Sequence, residues 1–238
     1  MPGLADRLPE LADRLAAVRA EIADAARAAG RDPGALTTIV VTKFHPATLI
    51  RELYGLGVRD VGENRHQEAL AKSAELAELE GLRWHFIGQL QSNKARQVRR
   101  YSHIVHSVDR PALVDALATR AGEPTAAENT VDIFLQLNLT DDPGRGGVAP
   151  AGLEALAEHA LAAPGLRLRG VMAVAPLGED PRAAFERLRA ASDRLRALAP
   201  DARDISAGMS ADFRAAVLEG ATHLRIGTAI TGSRPAPR

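Results

Sequence analysis

The 238-residue chain has no cysteine. That excludes a disulfide framework, thiolate metal ligation and a cysteine nucleophile, and it fits a reducing compartment. Net charge is also missing: thirty Lys plus Arg balance thirty Asp plus Glu, so no global basic field draws in nucleic acid or a membrane surface. No apolar run approaches the roughly 18–20 residues of a spanning helix. The start, MPGLADRLPELADRL, carries acids and lacks an apolar core, so no secretory signal is visible. Aromatics are only 3% beside abundant Ala and Arg, which reads as biased base composition rather than chemistry. The phosphate turn GxGxxG after the first strand, the Walker loop, the GxSxG elbow and the HExxH zinc motif are all absent. The expectation is a soluble, cytoplasmic protein that contacts neither membrane nor nucleic acid.

What is present is an alternation. Residues 1–30 read as a helix, with Leu4, Leu8, Leu11, Leu15, Val18 and Ile22 at three- and four-residue spacing. Gly30 and Asp32-Pro33 stop it. Short apolar or β-branched runs follow at 37–41, 59–61, 84–87, 104–107, 131–137, 168–174, 204–206 and 223–226. Helical stretches separate them at about 46–56, 64–79, 94–100, 111–120, 150–162, 181–198 and 211–218. Eight strand–helix units in a chain of this length predict a single-domain (β/α)8 TIM barrel spanning 1–238, with an open doubly wound sheet as the rival. The N-terminal helix is expected outside the barrel or across its bottom, and the tail 233–238 is expected to fray. The polar breaks 123–130 and 141–147 fall between units, the second reading as a flexible turn.

Active sites of such barrels lie at the C-terminal ends of the strands. Lys43 closes the first run, as VVTK. Partial burial there would lower its amine pKa and suit a Schiff base, whereas a snorkelling stem is the bland alternative. After the seventh run, SAGMS places Ser210 as a candidate cap of a helix starting near Ala211. After the eighth run, Gly227 permits close backbone approach and Thr228 adds a hydroxyl. Phosphate sites in these barrels recur at those two loops. Arg225, mid-strand among apolar residues, needs either a buried carboxylate or a ligand heteroatom. Asn64 and Ser92 follow strands two and three, where each could simply cap a helix. His85 reads as a satisfied core residue, and the histidines show no metal-ligand spacing. The run Lys94, Arg96, Arg99, Arg100 reads as a solvated helix face.

Six stretches resemble the pyridoxal 5′-phosphate (PLP) homeostasis protein family. They are VVTKFHPA at 40–47, GVRDVGENRHQEALAK at 57–72, WHFIGQLQSNKAR at 84–96, HSVDRPAL at 106–113, LRGVMAVAP at 168–176 and SAGMSADFRAAVLEGATHLRIGTAITG at 206–232. The resemblance implies a fold-type III barrel like the N-terminal domain of alanine racemase. It implies PLP held covalently on Lys43, the phosphate on Ser210, Gly227 and Thr228, and Arg225 at the pyridine nitrogen. Asn64 of the GEN motif is similar to a family residue near the cofactor. Thr42, Phe44-His45, Arg65 and Thr231 depart from the commoner family pattern, and none of them removes a proposed contact.

The resemblance further implies a role in intracellular vitamin B6 balance rather than a firm catalytic activity. A fixed cation at the pyridine nitrogen weakens the ring as an electron sink. Only Tyr54 and Tyr101 are present, and neither is expected at the barrel mouth as a second racemisation base. The expectation is a monomeric, non-catalytic PLP carrier or regulator that serves PLP-dependent apo-enzymes. A weak amino-acid racemase is the first alternative, and a PLP-free Schiff-base aldolase on a phosphorylated sugar the second.

Overall fold

A computed structural model describes residues 4–119, 130–140, 142 and 144–233. The β-branched run at 37–41 forms β1 (Thr37–Val41), and seven further parallel strands follow in chain order. They are β2 (Asp60–Glu63), β3 (Arg83–Phe86), β4 (Ile104–Val108), β5 (Val131–Gln136), β6 (Leu166–Met172), β7 (Asp204–Ser206) and β8 (His223–Ile226). Pairing of β8 with β1, Ile39 opposite Arg225 and Val40 opposite Ile226, closes the barrel and excludes the open sheet. Helices return the chain outside it: α2 (Ala47–Gly55), α3 (His66–Glu75), α4 (Ser92–Arg99), α5 (Pro111–Leu117), α6 (Leu153–Ala162), α7 (Pro181–Leu198), α8 (Phe213–Leu218) and the short α9 (Thr228–Thr231).

The N-terminal helix, α1 (Leu4–Ala28), packs on the outer wall against α8 and α9 rather than across the bottom. Its stripe Leu11, Leu15, Val18 and Ile22 is buried, whereas Leu8 stays exposed. Arg14 anchors it by donating to the Ile230 carbonyl at 2.8 Å.

Strand side chains alternate between two environments. Val105, Ile133, Leu135 and Val171 join the large cluster under the helices. Their neighbours Ile104, Phe134 and Met172 form a separate, smaller cluster inside the barrel. That interior is partly polar: His106 stacks on Phe134 with centroids 4.6 Å apart, and His223 meets the same ring edge-on. At the N-terminal end of the strands, ion pairs tie the sheet together. Asp132 accepts from Arg167 at 2.5 Å and Arg169 at 3.0 Å, Arg169 reaches Asp204 at 2.5 Å, and Arg83 reaches Asp60 at 2.7 Å.

Beyond shifts of a few residues at element ends, four departures from the sequence reading bear on the site or its surroundings. Gly62 and Glu63 belong to β2 rather than to the loop after it. The basic run at α4 is only in part a solvated face: Arg100 is exposed, but Arg96 donates to the Ala118 carbonyl, and Arg99 donates to the carbonyls of Leu117 and Gly165 and to Thr119 Oγ1. These are clamps on carbonyls left over at the end of α5 and in the turn before β6. Among its described residues, the loop after β5 is hydrogen-bonded: Asn138 Nδ2 donates to the carbonyls of Asp142 and Arg145 and Gly147 N donates to Asp109. The fourth departure, at Ser210, concerns the site itself. Of the other expected loops, residues 123–129 and 234–238 lie outside the described residues.

Candidate functional site

Lys43, Asn64, Ser210, Arg225, Gly227 and Thr228 all follow or lie on four consecutive strands of the closed sheet, in the order β7, β8, β1, β2. Closure brings the two ends of the chain together. A side chain added at Gly227 would sit 3.6 Å from Val41 Cβ, two residues before Lys43. Arg225 N donates to the Gly208 carbonyl at 2.9 Å, joining the loop after β7 to strand β8.

Lys43 is half-buried in the turn leaving β1. Phe44 after it has φ 68°, a left-handed backbone outside glycine, which costs an L-residue roughly 1–2 kcal/mol. Local contacts hold it there: Phe44 N donates to Glu68 Oε2 at 3.1 Å, and the Arg65 guanidinium lies 4.7 Å from the ring centroid. On the other side of Lys43, the Thr42 hydroxyl donates to Glu63 Oε1 at 2.6 Å. Lys72 Nζ donates to the same oxygen at 2.7 Å and to the Thr42 carbonyl at 3.0 Å. Lys43 therefore stands between a strained residue and a backbone carbonyl pinned by a buried ion pair. Burial raises the Glu63 carboxyl pKa against the opposing pull of Lys72.

Asn64 caps no helix, because the N-cap position of α3 is Arg65, and Ser92 is the first residue of α4 rather than its cap. The Asn64 Oδ1 is buried with no hydrogen-bond partner, an orphaned acceptor that calls for a donor. Its backbone is pressed against the loop after β3: a Cβ at Gly88 would fall 2.2 Å from the Asn64 carbonyl oxygen, so only glycine fits.

Ser210 is not the cap of α8. Asp212 Oδ1 accepts from Met209 N at 2.6 Å, which makes a turn over 209–212 and delays the helix to Phe213. Ser210 sits half-buried within that turn. Gly208 before it has φ +90°, and a Cβ there would meet Ala216 Cβ at 2.8 Å. Gly227 is half-buried, and Thr228 is exposed at the first position of α9.

Arg225 is buried, and its partners are neutral oxygens rather than a carboxylate: Nη1 donates to Ser206 Oγ at 2.7 Å and Nη2 to the Ala173 carbonyl at 2.9 Å. Burial pulls its guanidinium down to about 10, so it stays charged at neutral pH. Ser206 in turn bonds His106 Nδ1 at 2.8 Å, His106 Nε2 meets His85 Nδ1 at 2.9 Å, and His85 Nε2 meets Asp60 Oδ1 at 2.8 Å. Burial holds both imidazoles below their usual pKa. His85 is thus a satisfied interior residue, as expected, but in a chain that reaches Arg225. Sequence reasoning missed that chain, together with Glu63 and Lys72. The available signal was polar residues at inward positions of otherwise apolar strands. Among the described residues no acidic or histidine cluster could hold a metal ion, and no helix is long and apolar enough to cross a membrane.

The alanine racemase N-terminal domain family model matches residues 14–235. A pyridoxal phosphate homeostasis protein of Mycobacterium tuberculosis is 43% identical, over 96% of this chain and 95% of the relative. The structure of PipY of Synechococcus elongatus with PLP bound is 40% identical with a TM-score of 0.80, covering 93% of this chain and 100% of that one. An alanine racemase of Corynebacterium glutamicum shares the fold at 16% identity and a TM-score of 0.64, over 96% of this chain and 62% of its own.

Proposed function

The chain belongs to the pyridoxal phosphate homeostasis protein family, and on that premise we propose that it holds PLP reversibly at the mouth of its barrel, on Lys43, as a carrier rather than a catalyst. The donor set fits such a ligand. It offers a half-buried amine, a buried cation with neutral partners, an orphaned buried amide oxygen, and two adjoining loops carrying hydroxyls and glycines. Lys43 would hold PLP through its amine, and the cofactor would supply an aldehyde carbon with which an amine combines reversibly.

Each residue has a distinct part. Ser210, Thr228 and the backbone at Gly227 would bind the phosphate, with Gly208 keeping the 207–212 turn close to β8. Asn64 would supply an acceptor beside the ring. The pinned Thr42 carbonyl and the left-handed Phe44 fix the direction in which Lys43 leaves β1.

The observation that carries the non-catalytic reading is the pairing of Arg225 with neutral acceptors. Its charge is not cancelled by a contacting carboxylate, so at the ring nitrogen it would oppose protonation and weaken carbanion stabilisation. Reconstitution with PLP, borohydride reduction and peptide mass spectrometry test the reading. The expected adduct is on Lys43; a protein that stays colourless and unmodified would overturn it. For the catalytic question, the holoprotein is incubated with amino acids in deuterated water. Exchange of α-protons beyond the amount of protein present would replace the carrier with a racemase-like enzyme.

A further inference from the structure

Five buried side chains form one hydrogen-bonded line from the N-terminal end of the barrel towards its mouth: Asp60, His85, His106, Ser206 and Arg225. All are under 9% exposed, and His106 and Ser206 are at 0%. The protons along this line can be placed from its chemistry. Burial favours the neutral carboxyl of Asp60, but hydrogen bonds from His85 and Arg83 outweigh it, and the group stays ionised. A carboxylate only accepts, so His85 must donate from Nε2. A neutral imidazole then has an acceptor at Nδ1, which obliges His106 to donate from Nε2. His106 Nδ1 is left as an acceptor, so the Ser206 hydroxyl points its proton there. The oxygen lone pairs of Ser206 are then turned to Arg225 Nη1. With the carboxylate and two neutral imidazoles, only this polarity satisfies every contact.

We propose that Asp60, His85 and His106 are positioning residues for Arg225: the carboxylate sets both tautomers and thereby the orientation of the Ser206 hydroxyl that seats the guanidinium. This rests on the reading of Arg225 as a cofactor-facing group and extends it to residues that touch no ligand. The consequence is that a cation at the mouth is oriented without a hydrogen bond to an anion: Asp212 acts on it through space only, and the carboxylate that ends the line is Asp60, which also accepts from Arg83 at 2.7 Å.

Arg83 makes the idea testable by a polarity reversal. In Asp60→Asn, the amide oxygen must face Arg83, since an NH2 group there would meet another donor. The amide NH2 then faces His85 Nε2 and forces the opposite tautomer on both histidines. Side-chain 15N NMR of the apoprotein is expected to show both histidines protonated at Nε2 in the wild type and at Nδ1 in D60N. In D60N/R83M the amide is free to turn, and the wild-type tautomers are expected to return.

In parallel, PLP retention is expected to fall roughly tenfold in D60N with a shifted visible band, and to recover in D60N/R83M, as for loss of one hydrogen bond to a charged group. Should D60N not fold, Ser206→Ala removes only the hydroxyl and is expected to show the same loss. Wild-type histidines protonated at Nδ1 would overturn the proposal. So would unchanged tautomers in folded D60N, or a folded S206A with unaltered band and affinity. A wild-type protein without a PLP band would sink the cofactor reading and leave the tautomer result standing by itself.

Discussion

Lys72 Nζ lies 2.7 Å from Glu63 Oε1, with side chains 9% and 1% exposed, and the pair shares Thr42 as a common partner through its hydroxyl and its carbonyl. A buried charge left alone costs far more than the pair contributes, so Lys72→Met should destabilise the fold by roughly 3–5 kcal/mol. The double variant Lys72→Met with Glu63→Gln should recover much of that loss. Urea denaturation of the three proteins checks both statements, and a single variant as stable as the wild type would contradict them.

Phe44 offers a backbone test beside the reactive lysine. Its φ of 68° suits glycine, so Phe44→Gly should be more stable than Phe44→Ala by about 1 kcal/mol. The two variants lose the same ring contact with Arg65, which leaves the backbone as the difference. Thermal unfolding compares them.

Gly208→Ala should disturb the loop after β7. The new methyl would stand 2.8 Å from Ala216 Cβ and 2.9 Å from Phe213 Cα at a positive φ, so the 207–212 turn must move. PLP retention is expected to drop at least tenfold, with a smaller effect on the affinity for pyridoxal, which lacks the phosphate. Equal losses for the two vitamers would count against a phosphate role for this turn.

Arg99→Met is the complementary control. It removes donors from the carbonyls of Leu117 and Gly165, which should lower stability by roughly 1–3 kcal/mol. Those carbonyls lie at the end of α5 and before β6, away from the loops after β7, β8, β1 and β2. PLP affinity, followed by its visible band, is expected not to change.

Acid should unfold the protein through its interior histidines. Burial is the leading cause that depresses His85, His106 and His223, the last to about 4. Between those values and the unfolded value of about 6.5, the unfolded chain binds protons that the native state refuses. Stability is therefore full above about pH 6.5 and falls as pH drops, by up to about 1.4 kcal/mol per pH unit for each such histidine. The depressed Asp60 adds a further loss below its own unfolded pKa. Urea midpoints between pH 7.5 and 5 should show this slope, and His223→Asn should flatten it.

The barrel, its eight strands and the place of Lys43 were legible in the sequence because each rests on local information. Two-residue and 3.6-residue periodicities mark strands and helices, and a strand's C-terminal end is a fixed address in this architecture. Arg225, too, was visible as a charge in an apolar run. Its partners were not, because Ser206 is 19 residues away and Ala173 is 52. The same holds for Lys72 and Glu63, which become neighbours only once α3 folds back on β2. Ser210 illustrates the reverse error: the cap rule favours serine, but the side chain of Asp212 closed a turn first and moved the helix start. By itself the sequence determined which segments stand at the strand ends, since period and chain order suffice for that. Only the closed barrel decided how their charges and protons are arranged. Those depend on inward side chains from five different strands meeting across the interior, a distance relation that no local pattern encodes.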